Sequence, residues 1–342
     1  PDCLGIRGIA RDLAAAGLGT LRPLVIEPVA GEAGPAAPKV TLDFADGPSL
    51  CPAFALRLIE GVENGPSPDW LKRRLTAVGL RPINRLVDVT NYLTYDLGRP
   101  LHVFDADKVA GDLTVRAARA GEEVLALDGK TYALDPSMCV IADDNGVESL
   151  AGIMGGEASG SSDGTTRVLV ESALWEPLNI ARTGRALGIH SDARHRFERG
   201  VDPAFMEPGL EAATRMILDL CGGTPGPMQV VGEAPVGTRT TAFPPGEVER
   251  LSGLAVDEAT SADVLEKLGF AVDRSATPWQ VTTPTWRGDV EGKADLVEEV
   301  VRIVGINGVD ATPLERVGAV APKVLTVRQQ RVVTARRALA AR

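Results

Sequence analysis

Aromatic residues, histidine and cysteine are all scarce in this sequence. Of its 342 residues only 4% are aromatic, three are histidines and four are cysteines. A core with so few rings must be built mainly from Ala, Val, Leu and Ile. The cysteines contain no CxxC pair, which predicts buried thiols in a reducing compartment and argues against a disulfide framework or a zinc site. These cysteines are Cys3, Cys51, Cys139 and Cys221.

Long apolar runs and excess positive charge are also missing. No run reaches the roughly 18 residues of a membrane span, and no signal-peptide pattern opens the chain. We therefore expect a cytoplasmic protein with no membrane partner. The net charge of −10 argues against a surface that grips nucleic acid throughout. DNA is not an expected partner, and any RNA must be held by local basic patches or by domains outside this sequence.

The length of the chain and its Gly- and Pro-rich segments predict several α+β domains. A connecting segment over 1–45 contains a helix over 2–17, a Gly- and Pro-rich linker over 31–39 and a strand over 40–44. The main domain spans 46–225. In it Ser67 is the predicted cap of a helix, and Asp128-Gly129 the turn of a hairpin among short strands.

A second domain is predicted over 238–313, after a boundary rich in Gly and Pro. Its pattern reads strand, helix, helix, strand, helix, with Ser261 as a helix cap. The basic segment 314–342 is predicted to be a truncated amphipathic helix that starts a further domain, with a nucleic-acid arm as the alternative. Both ends look cut, so the chain is expected to be part of a longer subunit.

The most informative stretch is RPINRLVDVTNYLTYDLGRPLHVFD at 81–105. It places Thr90, Asn91 and His102 within a dozen residues of each other. All three side chains can position a water molecule, and none is a strong nucleophile. Taken singly, they would be a turn residue, a cap and a structural histidine, so only their joint occurrence indicates a site.

Three further motifs follow in order: LAGIMGG at 150–156, VESALWEP at 170–177 and HRFERGVDP at 195–203. Together with 81–105 they resemble the beta subunit of bacterial phenylalanyl-tRNA synthetase. The resemblance implies an editing module followed by a winged-helix-like domain. It also implies a heterotetramer of two alpha and two beta subunits that binds tRNA(Phe). The alpha subunit would carry the aminoacylation site and use ATP, which this chain would not bind.

The resemblance further implies that this chain hydrolyses the ester of mischarged Tyr-tRNA(Phe). An apolar synthetic pocket cannot strongly exclude one extra hydroxyl, whereas a second site with a polar acceptor can select for it. The phenol acceptor would be Glu171, and the small residues Ala151 and Gly152 would leave room for the ring. The implied water-positioning residues are His102, Asn91 and Thr90, and the remaining substrate contact is Arg85.

Other interpretations of these residues remain open. Glu171 can be a solvent-facing strand residue, and Arg85 a salt-bridge partner. A degenerate pocket would make the chain a non-catalytic scaffold, and a free-standing editing hydrolase is a third alternative. Ser172 lacks a GxSxG elbow, which argues against a triad hydrolase.

Acidic residues cluster in the second domain, within TPTWRGDVEGKADLVEEVVRIVGI at 283–306. Carboxylate oxygens at this spacing can hold Mg²⁺. Alternatively, the acids line a solvated helix face on which Arg302 pairs with Glu298 or Glu299. The resemblance implies a magnesium site shared with the alpha subunit and half-formed without it. Its ligands would be Asp289, Asp295, Glu298 and Glu299.

Overall fold

The protein has a mixed α+β fold, as predicted, with 36% helix and 21% strand. The structure is a computed structural model and describes residues 2–32, 37–44, 47–309, 313, 318 and 324–342. The chain divides into two compact units, Pro1–Gly305 and Ile306–Arg342. Within the described part, no helix has both the length and the apolar composition needed to cross a membrane.

The elements alternate irregularly along the chain. The helices are α1 (Ile6–Ala15), α2 (Asp69–Ala77), α3 (Arg85–Leu97), α4 (Pro177–Leu187), α5 (Asp192–Phe197), α6 (Met206–Cys221), α7 (Glu247–Ser252), α8 (Glu258–Lys267), α9 (Lys293–Val304) and α10 (Val327–Ala340). The strands are β1 (Val40–Asp43), β2 (Ala53–Glu60), β3 (His102–Asp105), β4 (Leu113–Ala117), β5 (Glu123–Leu125), β6 (Thr131–Ala133), β7 (Cys139–Ala142), β8 (Val147–Leu150), β9 (Met154–Gly155), β10 (Arg167–Leu174), β11 (Thr224–Pro225), β12 (Gln229–Gly232), β13 (Arg239–Phe243), β14 (Ala271–Asp273) and β15 (Trp279–Thr283).

One sheet forms the centre of the first unit. Its strands run in the order β11-β2-β10-β3, and β12 also pairs with β2. The two long strands, β2 and β10, are antiparallel over eight residue pairs. Seven of the eight residues in each are buried, because both faces of the sheet are covered. This explains why most residues of both strands are apolar.

A second sheet covers one face of the central sheet. It has the order β1-β4-β7-β8-β9, in which β1 and β4 are parallel and the remaining pairs antiparallel. The core between the two sheets contains Leu56, Phe104 and Leu169 from the central sheet and Val115 and Ile141 from its partner. The predicted hairpin at Asp128-Gly129 is confirmed, since it joins β5 to β6 with Gly129 at φ 76°.

Helices α3 and α6 cover the other face of the central sheet. Val168 and Val170 of β10 alternate with the residues of the first core, and they pack with Val89 of α3 and Leu210 of α6. Side chains on a strand alternate between faces. Leu169, Glu171 and Ala173 therefore face the second sheet, while Val168, Val170 and Ser172 face the helices.

The C-terminal part of the first unit has its own small sheet, in the order β13-β15-β14. Its core joins Phe243, Val281, Leu265 and Leu296. Ala15 of α1 packs into the same core. The sequence prediction of strand, helix, helix, strand, helix misses β14, a three-residue strand that pairs with β15.

Two predicted helix caps are wrong, and both have a physical reason. The hydroxyl of Ser67 donates to the Oδ2 atom of buried Asp88 at 2.6 Å, and Pro68 is the residue that precedes α2. Helix α8 begins earlier than predicted because Asp257 caps it by accepting from the Thr260 amide. Ser261 consequently lies inside the helix and is buried.

Helix α1 exists, but its apolar face is not covered in the described part of the chain. Ile6, Ile9 and Leu13 are each about half exposed. The helix is held instead through polar contacts such as that of Asp12 with Arg302 of α9, at 2.6 Å. In the second unit α10 is confirmed as a helix, but its apolar residues are not gathered on one side, so the predicted amphipathic character is wrong. All of its residues are exposed. Part of the predicted linker and of segment 314–342 lies outside the described residues.

Candidate functional site

Glu171 and His102 lie side by side on neighbouring strands. They are direct register partners of β10 and β3, so both side chains stand on the sheet face that meets the second sheet. Directly opposite residues of antiparallel strands have Cβ atoms about 4.5–5.5 Å apart. The structure therefore brings together the predicted phenol acceptor and one predicted water-positioning group.

Burial sets the protonation of this pair. It raises the pKa of Glu171, which is 5% exposed, to about 8, although the Arg99 guanidinium opposes the rise. Burial lowers the pKa of His102 to about 4, so its imidazole is neutral at pH 7. The His102 Nε2 atom is buried and has no hydrogen-bond partner in the part of the chain that the structure describes. Buried polar atoms without a partner are few in native structures, and each needs an explanation.

A glycine-rich turn, made of the loop between β8 and β9 together with Gly155 of β9, forms the opposite wall. A Cβ atom on Gly155 would lie 2.4 Å from Cε1 of His102, so only glycine allows the imidazole to take its place. Gly152 has φ 66°, and a Cβ there would lie 2.5 Å from Cδ1 of Trp175. The absent side chain of Gly152 thus makes room for Trp175. Ala151 is buried, and its amide donates to the Cys139 carbonyl at 3.1 Å.

Thr90 and Asn91 lie on α3, the helix that packs on the far face of the central sheet. The Thr90 hydroxyl donates to the Val87 carbonyl at 2.8 Å, within its own helix. Asn91 is half-buried. Among the described residues, no hydrogen bond joins either side chain to His102 or Glu171. Their role in positioning water stays a prediction.

Arg85 is the first residue of α3 and contacts backbone rather than the site. Its Nε atom donates to the Pro66 carbonyl and its Nη1 atom to the Glu63 carbonyl, both at 3.1 Å. These bonds hold the loop between β2 and α2 against the start of α3. A substrate contact of Arg85 also stays a prediction.

Arg99 is a site residue that the sequence interpretation missed. It is 1% exposed, and its Nη2 atom donates to the carbonyl of Ala173. Burial lowers its pKa to about 10, while Glu171 and Asp202 oppose that shift. Its Nε and Nη1 atoms have no partner among the described residues. The one available signal was an arginine inside the apolar run LGRPLHVF.

Two rings also missed by the sequence interpretation connect Arg99 to the glycine-rich turn. The Arg99 guanidinium carbon lies 5.9 Å from the ring centre of Phe197. Phe197 in turn packs edge-on against Trp175, with ring centres 6.5 Å apart. The indole N–H of Trp175 is buried and has no partner in the described chain. One region around Glu171 therefore contains several buried nitrogen atoms that have no hydrogen-bond partner among the described residues. They belong to His102, Arg99 and Trp175.

The acidic residues of the second domain are not arranged as metal ligands. Both Asp289 oxygens are held by Arg287, at 2.8 and 2.7 Å, and the same guanidinium is bonded to Glu299. Glu299 also pairs with Arg302, in agreement with the alternative interpretation. Asp295 accepts from the amides of Glu291 and Gly292 ahead of α9.

Glu298 is exposed whereas its neighbour Glu299 is buried, so the four carboxylates do not share one helix face. Within the described ranges, their oxygens do not converge to the spacing of a metal site. The arrangement does not fit a bound Mg²⁺ in this chain alone.

A separate cavity of about 390 Å³ lies between α1 and the neighbouring loops. Its walls include Arg7, Arg11, Leu97, Arg99 and Trp286, and they do not include Glu171 or His102. Arg11 stacks over the Trp286 ring at 4.3 Å and pairs with Asp2 at 2.8 Å. The cavity is therefore distinct from the Glu171 site, and Arg99 borders both.

Comparison with known families agrees with this architecture. The B3/4 domain family matches residues 50–222, and the tRNA synthetase B5 domain matches residues 241–306. The chain is thus a B3/4-domain protein that also carries a B5 domain. More specifically, it belongs to the family of phenylalanine–tRNA ligase beta subunits.

The similar proteins include curated relatives and one solved structure. The phenylalanine–tRNA ligase beta subunit of Nitrobacter winogradskyi is 59% identical over 341 residues, and that of Mesorhizobium japonicum is 58% identical over 342. Each match covers 100% of this chain and 42% of the relative. An N-terminal fragment of the Pyrococcus horikoshii phenylalanyl-tRNA synthetase beta subunit aligns with a TM-score of 0.42 and 15% identity, over 88% of this chain and 82% of that chain.

Proposed function

We propose that this chain carries an editing site that hydrolyses the ester of Tyr-tRNA(Phe) in preference to that of Phe-tRNA(Phe). The observation that carries the proposal is the register pair of Glu171 and His102, in which Glu171 is buried and the Nε2 atom of His102 is buried without a partner among the described residues. The pair packs against Gly155, whose missing side chain makes room for the His102 ring. Membership of the beta subunit family supports the proposal, because it places a B3/4 domain over the same residues.

Glu171 supplies the selection for tyrosine. A carbonyl or carboxylate oxygen of this side chain accepts the phenol O–H, whereas phenylalanine would bury that oxygen without a partner. Leaving a buried polar group unpaired costs about 1–3 kcal/mol, and more when the group is charged. This penalty rejects the correct ester from the editing site. The ionised form is the stronger acceptor, so the selection should strengthen as pH rises toward 8.

Hydrolysis needs little more than an oriented water molecule, because the aminoacyl ester is already activated. The water oxygen bonds to the ester carbonyl carbon, and the ribose oxygen leaves and takes up a proton. A histidine whose pKa is about 4 is a weak base. We therefore assign His102 the role of orienting water through its neutral ring.

We also propose partners and ligands for the longer subunit to which the site belongs. We propose that the chain works with an alpha subunit, in a cytoplasmic assembly of two alpha and two beta subunits. That assembly would bind tRNA(Phe) and use ATP at the alpha subunit. A shared Mg²⁺ would require alpha-subunit ligands and rearrangement of the Arg287 ion pairs, so the metal stays a prediction.

The test is deacylation of Tyr-tRNA(Phe) and Phe-tRNA(Phe) by the assembled ligase and by its Glu171→Ala variant. Glu148→Ala is the matched control, because Glu148 is also a buried glutamate with an unpartnered oxygen, on β8. We expect the parent and the control to prefer the Tyr ester, and Glu171→Ala to lose the preference. No hydrolysis of either ester by the parent would favour the alternative, a non-catalytic scaffold.

A further inference from the structure

A missing hydrogen bond at the start of β3 explains why an arginine is buried beside Glu171. The register of β10 and β3 pairs Glu171 with His102. If that register continued by two residues, Ala173 would lie opposite residue 100, and their backbone groups would form the next hydrogen-bonded pair. The Asp105 amide points away from β10 to Ser159, which means that even-numbered residues of β3 point toward β10. Residue 100 is a proline and has no N–H to donate.

The Arg99 side chain takes the place of that absent donor. Its Nη2 atom donates to the Ala173 carbonyl, which anchors the guanidinium at a point two residues beyond Glu171 on the same strand. Positions 171 and 173 share a face of the sheet and are about 6.6 Å apart along it. The remaining guanidinium atoms, Nε and Nη1, have no partner among the described residues. Arginine stays protonated even when buried.

We propose that Arg99 is a positioning residue that favours the ionised, hydrogen-bond-accepting form of Glu171 when the tyrosine ring is recognised. This inference rests on the proposed function. The positive charge opposes the burial of Glu171, and the fixed guanidinium keeps that charge at one distance from the carboxyl. Arg99 does not contact the ester, and the hydrolytic step does not require it.

The other groups near Glu171 do not replace this charge. His102 on β3 is neutral, and burial raises the pKa of the Cys51 and Cys139 thiols, so both thiols are also uncharged. Beyond Arg99, Asp202 has a raised pKa because it is buried, and its carboxyl is the second group that favours the charged form of Arg99. In the described chain, Arg99 is the only cation that acts on the pKa of Glu171.

The experiment measures the ratio of Tyr-ester to Phe-ester hydrolysis by the assembled ligase between pH 6.5 and 8.5, with the uncatalysed rate subtracted. Arg99→Gln keeps an N–H for the Ala173 carbonyl but removes the charge. Arg99→Lys keeps the charge. We expect the ratio to rise with pH in the parent, and Arg99→Gln to lower it about tenfold at pH 7.5, as for a shift of one pKa unit. In that variant the rise moves to higher pH, and Arg99→Lys behaves as the parent does.

A double variant separates this role from a purely structural one. In a Glu171→Gln background residue 171 has no carboxyl to ionise. Adding Arg99→Gln to it should therefore leave the ratio of Tyr-ester to Phe-ester hydrolysis unchanged. Equal loss of both activities in Arg99→Gln, with the ratio and its pH midpoint preserved, would overturn the inference. The same holds if Arg99→Lys moves the midpoint as far as Arg99→Gln does. If one variant fails to fold, the other still decides by its own midpoint. Absence of any Tyr preference in the parent would instead refute the proposed function.

Discussion

At the scale of single residues, Gly155 controls whether the His102 ring can occupy its position. Replacing Gly155 with alanine would place a methyl group 2.4 Å from Cε1 of His102. The imidazole must then move, and we expect a loss of about 1–3 kcal/mol in unfolding free energy together with slower Tyr-ester hydrolysis. Gly164→Ala is the control, because the nearest atom to its added Cβ lies 3.9 Å away. Urea unfolding and deacylation rates measure both, and equal effects in the two variants would contradict the argument.

The same scale shows where sequence reasoning succeeds and where it stops. His102 and Glu171 were identifiable because they sit in motifs, and the structure makes them register partners. Arg99 was not identifiable, because its task depends on the carbonyl of Ala173, which is 74 positions away. A motif records which residue types occur together, whereas an unpaired carbonyl on a distant strand appears only after the strands are aligned.

At the scale of elements, the chain's strongest local signals were reliable and its capping signals were not. Alternating and apolar patterns located β1 and the β5–β6 hairpin. Ser67 and Ser261 are both good cap residues by type, yet buried Asp88 takes the Ser67 hydroxyl, and Asp257 caps α8 instead. Several polar residues near a helix start can accept a hydrogen bond from its free backbone N–H groups. Tertiary contacts decide which of them does so, and the local sequence does not contain those contacts.

Helix α9 is held by an ion cluster whose importance can be tested at the same scale. The Arg287 guanidinium bonds to Asp289 and to Glu299, which is 3% exposed. Arg287→Met would leave Glu299 with Arg302 alone, and we expect a destabilisation of about 3 kcal/mol. Lys267→Met removes an exposed pair with Asp263 and should change stability by less than about 1 kcal/mol. Thermal unfolding distinguishes these results, and similar small losses in both variants would show that the cluster is dispensable.

At the scale of the whole molecule, the Glu171 site makes folding stability depend on pH. The pKa of Glu171 is about 8 in the folded chain, against about 4.3 in an unfolded one. The native state therefore binds the proton more tightly, so this contribution is full below about pH 4.3 and disappears as pH rises through 8. His102 acts in the opposite sense, because its folded pKa of about 4 is depressed. Its contribution is present above its unfolded pKa of about 6.5 and is lost as pH falls toward 4.

Between pH 6.5 and 8 only the Glu171 contribution still changes among these two groups. One pKa unit corresponds to 1.36 kcal/mol, so the chain should lose about 2 kcal/mol of unfolding free energy across this window. Glu171→Gln cannot ionise and should remove most of that loss. Urea unfolding of the parent and the variant at both pH values gives the comparison, with Glu157→Gln, at an exposed position, as the control that should retain the parent's pH dependence. A parent whose stability is flat from pH 6.5 to 8 would mean that Glu171 is already ionised at neutral pH, and the selection for tyrosine would then lose its expected pH dependence.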